Sequence, residues 1–162
     1  MRSSRASTVS KRRPGKLATL LRQAKREGWA KWIRGEFDEH AMLNGCRSDK
    51  ERGLHVCEFF EGNAKEQRPG FLFLSDGPRA GQPFLLMDWH REFLMRLFGW
   101  VQEDGARRFR MAYVEIPKKN TKSATCSGIG LYMLTADGEA GAQVCSAAAD
   151  RDQAGIIFDE AA

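Results

Sequence analysis

Residues 113–124 read YVEIPKKNTKSA, and the fold turns on how this stretch is read. It closes the segment RRFRMAYVEIP, whose near-continuous apolar run over 111–116 predicts a strand buried on both faces, as in a parallel sheet. Pro117 ends the run, and Lys118, Lys119, Asn120, Thr121, Lys122 and Ser123 follow. The next segment, KSATCSGIGLYMLTADG, has the length of a helix and places Ile129, Met133 and Leu134 on one stripe, with Gly138 as terminator. Then comes a second β-like run, AQVCSAAA, and DRDQAGIIFDEAA, in which Asp150 is positioned to cap a last helix. Strand, loop, helix, strand and helix form a βαβ pattern, which implies a parallel sheet with flanking helices. A loop between a buried strand and a helix is where backbone N–H groups can surround phosphate while a lysine neutralises its charge. Lys122 and Ser123 occupy the lysine and hydroxyl positions of G-x-x-x-x-G-K-[ST], whereas Ile116 and Thr121 stand where that pattern has glycine. On the motif alone, a basic turn is the better reading.

Outward from that loop, 162 residues suffice for one domain with a real core, and 42% hydrophobic with 29% charged residues is an ordinary globular composition. No apolar run approaches the roughly 18 residues of a membrane span. Net charge is +5 but uneven. Residues 1–35 carry eleven lysines and arginines, among them Arg12, Arg13 and Lys16, against Glu27 as sole acid. Such an arm attracts nucleic-acid backbones without reading sequence. A solvated tail has the same composition, and a Ser/Arg-rich, acid-poor start is also that of an organelle transit peptide. Cys46, Cys57, Cys126 and Cys145 form no CxxC pair, which fits a reduced cytosolic chain. His40, Cys46, His55 and Cys57 match no common zinc spacing.

Three further helices are predicted. KLATLLRQAKREGWAKWI has helical spacing with stops at Gly28 or Gly35, and DKERGLHVCEFFEG sets Leu54, Cys57 and Phe60 on a stripe before Gly62. In FLLMDWHREFLMRLFGWV, Asp88 is a candidate N-cap, and Trp89, Phe93, Leu97 and Val101, thickened by Leu94 and Phe98, make an amphipathic face. The Gly/Pro-rich segment between, EQRPGFLFLSDGPRAGQPF, reads as a loop around one short extended piece at 71–74.

From residue 84 onward the chain resembles the N-terminal ATPase region of phage large terminase subunits, the motors that package DNA into capsids. The resemblance is carried by DWH at 88–90, LFGWV at 97–101, KKNTKS at 118–123, LYMLTADGEAGAQVCSAA at 131–148 and DRDQA at 150–154, in order and at matching distances. It implies an α/β fold, the N-terminal part of a P-loop NTPase over 36–162 behind a helical basic arm over 1–35. It further implies that Lys122 contacts the terminal phosphates of Mg-ATP, that Ser123 ligates magnesium, and that 118–120 form the loop. Ile116 is no departure, since this family usually has an aliphatic residue there. Lys118 replaces the usual arginine, a fixed fork of donors that lysine does not supply. His90 follows Trp89 where the family has a base-reading glutamine, and an imidazole cannot reproduce an amide's paired donor and acceptor. Thr121 replaces a glycine that permits positive φ and close phosphate approach. No apolar strand ending in an acidic pair follows. Phe158, Asp159 and Glu160 superficially qualify but lie in a helical context. The expectation is therefore a terminase-like fragment, cut short by gene decay or completed by a second reading frame, in the cytoplasm of a bacterial host. Its expected partners are DNA, a small terminase subunit and a portal. The alternatives are a non-enzymatic DNA-binding or assembly module and an inactive prophage remnant.

Overall fold

A computed structural model describes residues 15–75, 77–117 and 120–159. Arg12, Arg13, Lys118, Lys119 and Glu160 lie outside these. Contacts divide the chain into two compact units, after Cys46; the expected boundary at Gly35 falls inside the first, at the N-cap of its second helix.

In the first unit, α1 (Lys16–Arg26) stops before Gly28, whose φ of 80° is one that glycine adopts freely. A 3₁₀ turn (Ala30–Trp32) leads to α2 (Glu36–Leu43). Ala24, Trp29, Trp32 and Met42 are buried here. Buried Asp38 accepts the Arg34 N–H at 2.7 Å, and Lys16 Nζ donates to the Leu43 carbonyl at 2.8 Å.

The second unit opens with β1 (Arg47–Ser48) and α3 (Lys50–Glu61), which Asp49 caps by accepting the Arg52 N–H at 3.0 Å. Gly62 ends α3 at φ 85° and begins β2 (Gly62–Asn63), which pairs antiparallel with β3 (Arg68–Pro69). Among the described residues of 71–84, Phe73 bridges Pro83 antiparallel. Then α4 (Asp88–Gly99) packs along α3 and runs into β4 (Trp100–Val101), paired antiparallel with β1. After it come α5 (Lys122–Thr135) and α6 (Arg151–Asp159), the latter opened by Asp150 Oδ1 accepting the Gln153 N–H at 2.8 Å, as expected.

The core lies between α3, α4 and α5. Tyr132 of α5 meets Phe59 of α3 and Phe98 of α4 edge-on, at centroid distances of 5.4 and 5.1 Å, and its hydroxyl lies 3.1 Å from His55 Nδ1. Burial pushes its phenol up to about 12, with the Asp137 carboxylate adding to the effect. Gly128 lets α5 approach closely: a Cβ there would meet Leu72 Cδ1 and come within 2.6 Å of Phe60 Cζ. Asp137, just past α5, holds Arg107 at 2.8 Å and so ties this helix to the turn after β4.

Several expectations are corrected. The 111–116 run is not a buried strand: Met111 and Tyr113 are 87% and 85% exposed, and the segment enters no ladder among the described residues. An apolar run specifies only that its side chains favour cover, and here no described neighbour supplies a ladder or a face. The two sheets described are both two-stranded and antiparallel. The buried face of α4 is His90, Leu94, Met95 and Phe98, rotated from the predicted one, and Val101 is buried as strand. Met87, not Asp88, is its N-cap. The buried face of α5 is Thr125, Gly128 and Tyr132, while Leu134 is 51% exposed.

Candidate functional site

The loop before α5 is positioned from two sides. Glu61, the last residue of α3, accepts the Leu86 N–H at 3.0 Å and pairs with Arg91, which fixes the start of α4 against the end of α3. From that anchored turn His90 is directed inward and is 1% exposed. Its Nδ1 accepts the Met87 N–H at 3.2 Å, so the ring proton sits on Nε2, which donates to Thr121 Oγ1 at 3.1 Å. The Thr121 hydroxyl in turn donates to the Asn120 carbonyl at 2.7 Å. Trp89 stacks on the His90 ring at 3.6 Å, and Phe84 meets it edge-on at 5.6 Å. Burial lowers the His90 pKa below its ordinary value, consistent with a neutral ring.

Thr121 is the N-cap of α5 and has φ 55° and ψ 25°, the left-handed conformation that the sequence pattern assigns to glycine. Its carbonyl accepts both the N–H and the hydroxyl of Thr125, each at 2.8 Å. Its side chain does not cap the helix, so it leaves the first-turn N–H groups and the positive end of the helix dipole without that partner. Lys122 begins the helix and is exposed; Ser123 follows, half-buried, and its hydroxyl bonds to nothing among the described residues. Asn120 Nδ2 donates to the Pro117 carbonyl at 3.3 Å. The Lys122 charge also acts on Cys126, one turn along, opposing the rise that burial gives its thiol.

Of the expected residues, the structure therefore brings Asn120, Thr121, Lys122, Ser123 and His90 together, with Trp89 stacked behind. The link between His90 and Thr121 was missed in the sequence, because it joins positions 31 residues apart that no local pattern relates. Asp159 stands on α6, not at the end of a strand. Of the four candidate zinc ligands, His55 is engaged by Tyr132, and no cluster of three or more metal-capable side chains occurs among the described residues. No described helix is long and apolar enough to cross a membrane.

This loop, left-handed residue, lysine and hydroxyl at a helix start coincide with a family match: residues 88–162 fit the model for the terminase large subunit, ATPase domain. That segment belongs to the terminase large-subunit ATPase family. The family is one of phage DNA-packaging motors, and its ATPase domain implies a P-loop-like fold. Residues 1–87 lie outside the match. No curated protein and no solved structure matches the chain.

Proposed function

We propose that the terminase-like segment binds Mg-ATP at the start of α5. Lys118, Lys119 and Asn120 would form the loop, Lys122 would neutralise the terminal phosphates, and Ser123 would ligate magnesium. The observation that carries this reading is Thr121 in the left-handed conformation directly before an exposed lysine and a serine hydroxyl with no bond among the described residues. These groups fit a metal-bound triphosphate, since a hard cation takes oxygen ligands and a helix start attracts anions. When bound, the metal would supply charge neutralisation across the phosphates. The proposal concerns binding: helical Asp159 is not offered as the carboxylate that activates water. Titration with Mg-ATP tests it, and Ser123→Ala should abolish the dependence of affinity on magnesium. Affinity that ignores both magnesium and Ser123 would refute the assignment.

A second reading is favoured by α1, which exposes Arg22, Lys25 and Arg26 on a helix whose last turn is basic. The first unit would then hold DNA through its backbone, with Arg12, Arg13 and Lys16 contributing, in a host cytoplasm where a small terminase subunit and portal would be further partners. Affinity for duplex DNA should fall steeply with salt, and replacing Arg22, Lys25 and Arg26 together should lower the log–log slope by roughly 2–3. An unchanged slope would exclude this surface.

A further inference from the structure

The two positions at which the chain departs most from the pattern it resembles, His90 and Thr121, are hydrogen-bonded to each other at 3.1 Å. A neutral imidazole has one donor and one acceptor. In His90 the acceptor is used by the Met87 N–H and the donor by the Thr121 hydroxyl. One ring face is stacked on Trp89, Phe84 meets the ring edge-on, and the side chain is almost wholly buried. No hydrogen-bonding edge of His90 is left for a base. The cavity beside it, lined by Arg79, Gln82, Phe84, Met87, His90 and Thr121, has a volume of about 120 Å³. Pockets that enclose small molecules are usually several times larger.

What the ring does hold is a residue in an unusual conformation. A β-branched side chain at positive φ persists only where its surroundings over-determine it. Here the hydroxyl is fixed by His90 and by the Asn120 carbonyl, and the Thr121 carbonyl takes two bonds from Thr125. With glycine at 121, the His90 donor would lose its partner. With a side chain lacking a buried N–H at 90, the hydroxyl would lose its long-range restraint.

We infer that His90 is a positioning residue for the phosphate loop and not a reader of the base. It holds Thr121 in the left-handed turn that starts α5, and a triphosphate is taken there without choice of base. The second half rests on the nucleotide site proposed above. The test uses the full chain with ¹⁵N-labelled histidine, His90→Phe assigning the ring signals among the three histidines. The wild type should show His90 protonated at Nε2 and not at Nδ1. Thr121→Val should shift the Nε2 signal, and Thr121→Ser should restore it. In parallel, Mg-ATP, Mg-GTP and inorganic tripolyphosphate are titrated. ATP and GTP should bind within about threefold of each other, Thr121→Val should weaken all three ligands alike by roughly tenfold, and Thr121→Ser should recover them. A His90 signal unmoved by Thr121→Val would overturn the positioning role. ATP preferred over GTP by about tenfold or more would overturn base indifference. Failure of the wild type to bind any of the three would refute the nucleotide site and base indifference with it, while the ring signals would still decide whether His90 holds Thr121.

Discussion

At φ 55° and ψ 25°, Thr121 occupies a region where the Cβ of an L-residue crowds the following carbonyl, at about 1–2 kcal/mol. Thr121→Gly removes that strain but also the hydroxyl bond to His90, worth about 1 kcal/mol, and adds unfolded-chain entropy of about 0.5–1 kcal/mol. These terms nearly cancel, so urea unfolding should place Thr121→Gly within about 1 kcal/mol of wild type. A loss of about 3 kcal/mol would mean that the hold is worth far more than one hydrogen bond. His90 adds a pH dependence whose sign follows from its buried, neutral ring. Its folded pKa is depressed from an ordinary 6.5, so the associated stability is present above 6.5 and lost as pH falls below it. His90→Gln, which does not titrate, should flatten this acid limb of a stability–pH profile. An unaltered limb would assign it to other groups.

At the scale of elements, α5 separates what a sequence can disclose from what it cannot. Its limits were legible: Pro117 precedes the loop, Lys122 begins the helix and Gly138 follows its end. Its buried face was not, because the apolar spacing of Ile129, Met133 and Leu134 points to one side while the buried face is Thr125, Gly128 and Tyr132, the last two meeting α3. Small residues that permit close approach give no hydrophobic signal. Gly128 and Gly130, equal in the sequence as helix-weakening residues, are therefore unequal in the structure. A Cβ at Gly130 would meet only Val144 Cγ1 at 3.4 Å, whereas one at Gly128 would collide with Leu72 and Phe60. Gly130→Ala should gain up to about 1 kcal/mol from helix propensity. Gly128→Ala should lose about 1–3 kcal/mol through overpacking despite the same propensity gain. Thermal melts of the two variants check the contrast, and equal shifts would contradict the packing account. The strand expectation at 111–116 failed for the complementary reason: hydrophobicity was legible, but a ladder depends on a neighbour that local sequence does not specify.

For the molecule as a whole, the ordered motifs from residue 88 onward disclosed the family, and the sequence order of loop, lysine and hydroxyl disclosed which residues gather at the start of α5. The restraint between α4 and that loop needed tertiary structure, as did the division after Cys46. All these levels meet in one claim, that the start of α5 binds a metal-bound triphosphate. Isothermal titration of the full chain with Mg-ATP, beside Lys122→Ala, tests it most directly. Lys122 is exposed and in no ion pair among the described residues, so its removal should leave folding intact while taking away a charge-assisted phosphate contact. The account predicts saturable binding that Lys122→Ala weakens by roughly tenfold or more. No binding, or binding of equal strength in Lys122→Ala, would contradict it.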